Sequence, residues 1–142
     1  MPFFASSTAF SGTSSPAASY LVTQYTYDPL ERVLTIANAV GTTTNAYHHW
    51  KVTTTDADGH SKDIIKDAYG NLATVVEYGS TTGTTTYAYD GNNNLIQITD
   101  AAGNIRAFTY DGVGRTLTAQ DLHGATSTSF GSTTFVYDDA GT

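Results

Sequence analysis

Cysteine is absent from the 142 residues, so no disulfide holds the fold together, and thiol usage carries no information about compartment. Basic residues are nearly as scarce. Six Lys and Arg against thirteen Asp and Glu leave a formal net charge of −7. Such a chain offers no electrostatic footprint for phosphate backbones or anionic lipid, which argues against nucleic acid as a partner. Charged residues make up only 13% of the sequence, about half the ~25% of an average soluble domain. Thr, Ser, Asn, Gly and Tyr fill the deficit, and these favour strands and turns over helices. Long apolar runs are missing too, so no segment approaches a membrane span. The opening MPFFASSTAFSGTSSPAASY holds neither Lys nor Arg, and no apolar stretch in it suits a signal-sequence core. An exported protein of this sequence would use a signal on a longer parent chain or a route that needs none.

What is present is a rhythm. Residues 1–19 are aperiodic and rich in Ser, Ala, Thr and Gly, and read as a flexible or irregular lead-in. From residue 20 to 142, runs of about six residues rich in Thr, Val, Ile, Leu and Tyr alternate with turn signals, and no apolar spacing of three and four persists over a helical length. The expectation is an all-β chain of repeated antiparallel β-hairpins. The turns share a grammar of Asp-x-x-Gly: Asp56 with Gly59, Asp67 with Gly70, Asp100 with Gly103, Asp111 with Gly114, Asp121 with Gly124 and Asp138 with Gly141. Asn38 with Gly41 is a close variant. The first residue accepts a bond from the backbone two positions on, and the Gly takes positive φ, which together specify a type I turn closed by a G1 bulge. At Asp90 the fourth position is Asn93, which tolerates that conformation. At Asp28 it is Glu31, so a strained or differently shaped turn is expected.

Turns at 90, 100, 111 and 121 leave predicted strands at 94–99, 104–110 and 115–120. Every second turn follows an aromatic pair: Tyr25 and Tyr27, Tyr87 and Tyr89, Phe108 and Tyr110, Phe135 and Tyr137. The repeating unit is therefore two strands, with degraded copies at Tyr47-His48 and Ile64-Ile65-Lys66-Asp67. Thr/Gly/Ser loops near 79–86 and 124–132 absorb the longer steps. Corresponding tyrosines of successive units are expected to stack across neighbouring strands.

The stretch YAYDGNNNLIQITDAAGNIRAFTYDGVGRTLTAQDLHG (87–124) and the segment KDAYGNLATVVEY (66–78) resemble the YD-repeat, or Rhs-repeat, family. Its members include bacterial Rhs and insecticidal toxin-complex proteins, wall-associated proteins and the YD shell of teneurins. The resemblance implies a long β-sheet spiralling into a hollow shell or tube, often around a toxic C-terminal polypeptide, at an extracellular or cell-surface location. This chain is too short to close such a shell alone. The self-cleaving core of toxin-class members rests on Asp-Pro-x-Gly motifs, and Asp28-Pro29-Leu30-Glu31 lacks the glycine, so protease activity does not carry over.

Site chemistry is thin. A residue recurring at every turn serves turn geometry, so the aspartates are read as structural rather than catalytic or calcium-binding, and the Gly-Gly-x-Gly-x-Asp units of calcium β-rolls are absent. His48 and His49, adjacent on a strand, would point to opposite faces; with His60 and His123 they are expected to be exposed turn residues, not a metal site. No Gly-x-Ser-x-Gly, P-loop or His-Glu-x-x-His occurs. The sequence thus reads as a non-catalytic, cofactor-free structural segment whose partner is itself or the rest of a larger shell. A carbohydrate-binding surface module is the alternative, with tyrosine faces as sugar platforms. Without a recognisable cap, a 142-residue protein of this kind would form a filament or tube with neighbouring copies continuing one sheet.

Overall fold

A computed structural model describes residues 22–138, and among them there is no helix. The elements are β1 (Gln24–Tyr27), β2 (Val33–Ala37), β3 (Thr42–His48), β4 (Lys51–Thr55), β5 (Ser61–Lys66), β6 (Leu72–Tyr78), β7 (Thr82–Tyr89), β8 (Leu95–Thr99), β9 (Asn104–Tyr110), β10 (Thr116–Gln120), β11 (His123–Gly124) and β12 (Ser132–Thr134). All belong to one antiparallel sheet. β1 to β10 are neighbours in chain order, β12 follows β10, and β11 pairs β9 beyond the end of β10. The lead-in and Gly141 lie outside the described residues.

Period-two alternation gives the sheet two chemically different faces. One carries a row of hydroxyls across seven strands, Thr26–Thr35–Thr44–Thr55–Ser61–Tyr78–Thr82. Neighbours in it bond directly, Thr26 to Thr35 at 2.6 Å and Thr55 to Ser61 at 2.8 Å. The other face carries Tyr47–Val52–Ile64–Val75–Thr85. The sheet is a single layer. No apolar side chain among the described residues is fully buried, while Trp50 and Tyr69 stand 61% and 87% exposed. β-Branched residues here pack only against cross-strand neighbours, so the sheet is held by its ladder and turns rather than by an oily core.

The turns divide into three kinds. At Asp28, Asp56, Asp67, Asp90, Asp100 and Asp111 the carboxylate accepts the backbone N–H two and four residues on, at 2.8–3.0 Å. The fourth residue is left-handed in each: Gly59, Gly70, Gly103 and Gly114 at φ 80–89°, Asn93 at 70° and Glu31 at 61°. Glu31 therefore strains the turn without changing its shape, since its N–H still reaches the Asp28 carbonyl at 3.0 Å.

Two expected turns differ. At Asn38 the loop is one residue shorter in reach: Asn38 N–H donates to the Gly41 carbonyl, and Gly41, at φ 156°, donates to the Asn38 side chain. A Cβ at Gly41 would collide with the Ala57 methyl, so close approach joins its positive φ, outside the bulge geometry of the other turns, in requiring glycine here. Asp121–Gly124 is not a hairpin turn at all. His123 and Gly124 continue along β9, the chain turns at Gly124–Ser127, and Asp121 N–H pairs with the Gly131 carbonyl at 2.8 Å. Two correct turn residues do not fix a turn when the strand partner begins eight residues after the second of them. Likewise the loop expected at 79–86 is confined to 79–81, because the β-branched Thr82, Thr84, Thr85 and Thr86 join β7.

His48 and His49 form the third kind. The hairpin loop is His49-Trp50, with His48 opposite Lys51 and His49 at φ 52°. Because the chain reverses there, the imidazoles do not point to opposite faces: their Nδ1 atoms lie 2.6 Å apart.

Candidate functional site

The repeat turns are built around six carboxylates, and each is completed by the residue just after the turn. The second carboxylate oxygen accepts from Arg32 Nε at 2.7 Å, Asn71 Nδ2 at 3.1 Å, Asn94 Nδ2 at 3.0 Å, Asn104 Nδ2 at 2.9 Å and Arg115 Nε at 2.6 Å, and lies 3.2 Å from His60 Nδ1. This fifth position of the motif is a functional part of the turn. Its signal in the sequence is the recurrence of Arg, His or Asn directly after the fourth residue at every such turn.

These bonds hold the carboxyls below their usual range. The Arg32 side chain does so for Asp28, the His60 backbone N–H for Asp56, the Asn94 and Asn104 carboxamides for Asp90 and Asp100, and the Arg115 backbone N–H for Asp111. At Asp67 burial pushes the carboxyl up, and the Asn71 backbone and carboxamide outweigh it. A seventh, Asp63, is lowered by the Thr53 hydroxyl and then by Lys51. Native carboxyls that titrate below the unfolded value of about 3.9 bind fewer protons than the unfolded chain. Their contribution is complete above that value and disappears as pH falls through the native pKa values. The thermal midpoint should therefore hold near neutrality and drop steeply below about pH 4; a midpoint unchanged down to pH 3 would contradict this.

The tyrosines have a role that sequence reasoning missed. Turns preceded by Tyr at 28, 67, 90 and 111, or its Lys66 substitute, carry a bulge beside them, at Thr26/Tyr27, Ile65/Lys66, Ala88/Tyr89 and Thr116/Thr118. The turns at Asp56 and Asp100 keep unbroken register. A bulge leaves one residue out of the ladder, and a backbone carbonyl so released needs a donor. The donor is the tyrosine of the following unit: Tyr47 Oη to the Val33 carbonyl at 3.0 Å, Tyr89 to Leu72 at 3.1 Å, Tyr110 to Leu95 at 2.8 Å and Tyr137 to Thr116 at 2.8 Å. Arg32 lies over the Tyr47 ring at 4.2 Å and Arg115 over Tyr137 at 4.6 Å.

The expected stacking of tyrosines between strands is replaced by this bond. Among the described residues, the tyrosine pair that does stack is Tyr25 with Tyr27, 6.5 Å apart within one strand. Phe108 sits under Arg106, and Phe135 donates its backbone N–H to the Leu117 carbonyl. Tyr87 faces Ile98 across the strands. Tyr110→Phe should cost about 1 kcal/mol by leaving the Leu95 carbonyl unsatisfied, whereas Tyr69→Phe, at a solvent-exposed turn, should cost nearly nothing. Urea midpoints of the two variants measure the difference.

Two further groups among the described residues carry ligand-binding chemistry. Asp56, Asp58 and His60 gather at one exposed turn, with ligand atoms within 4.8 Å of one another. Between the Asp67 and Asp90 turns lies an open cleft of about 460 Å³ walled by Tyr69, Tyr87, Tyr89, Asn71 and Asn93. Asn71 and Asn93 bridge its two rims amide to amide. His123, expected at the surface, is instead buried: it stacks on Phe130 with centroids 3.8 Å apart and its Nδ1 lies 2.7 Å from the Asp121 carbonyl. The long loop folds Phe130 onto it.

The geometry defines a class, a repeat protein whose unit is a bulged hairpin latched to its predecessor by a tyrosine hydroxyl. Residues 67–105 and 89–126 each match the family model of the RHS repeat, and this part of the chain consists of RHS repeats, a structural repeat family. A search of curated proteins finds no match to the chain.

Proposed function

We propose that the chain is a non-catalytic wall segment, one stretch of a β-sheet shell or tube in an extracellular or toxin-delivery assembly. The observation that carries this reading is the single uncovered layer, without one fully buried apolar side chain among the described residues. A free-standing domain of this size ordinarily buries a core. A wall does not need one, because its faces are covered by cargo, by other turns of the sheet or by further copies. RHS-repeat proteins are typically extracellular or associated with the cell surface, which supports the location. Among the described residues β1 and β12 each pair on one side only, which supports self-association. Negative-stain microscopy and light scattering on the isolated chain test the proposal: extended sheets, filaments or tubes are expected, and a folded monomer stable at high concentration overturns the self-assembling form.

One observation favours a second reading. The cleft at the Asp67 and Asp90 turns combines tyrosine faces with carboxamides and carboxylates, the side chains that stack on sugar rings and bond their hydroxyls. A glycan array with no hits would remove it.

A further inference from the structure

The histidine pair at the tip of the β3–β4 hairpin plays no part in the repeat geometry, and we propose that it is a copper(II) site. Adjacent residues on a strand could not share an ion. Here the strand ends at His48, the left-handed His49, at φ 52°, begins the reversal, and the two Nδ1 atoms come within 2.6 Å, with ring centroids 4.5 Å apart. Both side chains are exposed, so the site is open to solvent and to further water ligands.

Ligand type, reach and affinity order together point to the metal. Two metal–nitrogen bonds of about 2.0 Å span about 2.8 Å at the 90° angle of a tetragonal centre and about 3.3 Å at a tetrahedral angle. The 2.6 Å spacing is that of the hydrogen-bonded pair and need open only slightly to reach the first, which is the preference of copper(II), the ion that also heads the affinity order of the divalent metals. Loading needs little rearrangement. In the metal-free pair one Nδ1–H donates to the other Nδ1 lone pair. The donor ring moves its proton to Nε2, and both Nδ1 lone pairs then face the ion. The neighbouring Lys51 ammonium is held by Asp63 at 2.9 Å.

Trp50, the sole tryptophan, follows His49 directly and reports occupancy by fluorescence quenching. Titrating the full chain with copper(II) chloride should quench it saturably at one equivalent. His48→Gln and His49→Asn should each weaken the titration at least tenfold, asparagine being chosen because it keeps the left-handed backbone. His60→Gln should leave it unchanged, which separates this site from the Asp56, Asp58 and His60 cluster. Electron paramagnetic resonance should show a tetragonal copper signal with imidazole nitrogen ligation, a reading independent of any variant. Wild-type quenching in both His48 and His49 variants, or a resonance without imidazole nitrogens, overturns the assignment. Zinc should displace the copper only at large excess; equal competition by zinc would also overturn it.

Discussion

Replacing Gly103 by valine should destabilise the sheet by about 1–3 kcal/mol, the cost of holding a β-branched residue in a left-handed conformation. The position isolates torsion from sterics. Gly103 sits at φ 80°, yet a Cβ there would meet nothing within 4 Å. Ala102→Val, one residue earlier at an ordinary turn position, is the control and should change little. Gly103→Asn should fall between them, because Asn93 already occupies the equivalent place at φ 70°. The same logic runs in reverse at Glu31, where φ is 61°. Glu31→Gly relieves about 1–2 kcal/mol of left-handed strain and loses about 0.5–1 kcal/mol to backbone entropy, so it should stabilise slightly. Denaturant midpoints that move equally for Gly103→Val and Ala102→Val would show that backbone torsion does not govern these turns.

Asp63→Ala should be at least as damaging, by about 2–3 kcal/mol. Asp63 is the one carboxylate buried among the described residues, 4% exposed. It accepts from Lys51 Nζ at 2.9 Å, Thr53 Oγ1 at 2.6 Å and Tyr78 Oη at 3.0 Å, joining three strands on the hydroxyl face. The hydrogen bonds it accepts, and then its charge, raise the pKa of Lys51, and the same hydrogen bonding, with burial, raises that of Tyr78. Truncation removes three hydrogen bonds at once, and charged partners make the loss larger than for a neutral bond. Asp63→Asn keeps an acceptor for Thr53 but removes the charge, so it should recover part of the stability. A Tyr78 titration followed by absorbance should also move toward the ordinary tyrosine value in either variant. If it stays raised, Asp63 is not the cause.

Strand positions and most turns were legible because their determinants are local. The Asp carboxylate and the left-handed fourth residue act within five residues, and such signals survive in a single sequence. Asp121 shows where locality ends: the same letters occur, but Gly131 and Phe130, farther along, decide how the chain returns. Asp63 was not legible, since Ser61-Lys62-Asp63-Ile64-Ile65 reads as a strand with an acid in it, and only the register reveals Lys51 and Tyr78 beside that acid. The tyrosines were seen as a pattern and misjudged as a mechanism. A periodic aromatic suggests ring packing, whereas the acceptor is a backbone carbonyl set free by a bulge, which leaves no mark in the letters. The histidine pair reverses for a similar reason, since strand alternation fails where the strand ends between the two residues.

The order of the strands in the sheet has a consequence for how the protein is made. Because β1 to β10 pair in the sequence in which they are translated, each new strand meets a partner completed just before it, and the entropy of closing each loop stays small. The tyrosine bonds follow the same direction of time. Tyr47 reaches back to Val33, Tyr89 to Leu72, Tyr110 to Leu95 and Tyr137 to Thr116, so every acceptor exists before its donor leaves the ribosome. The growing edge is locked from behind, one hairpin at a time, and these latches wait for no residue still to be synthesised.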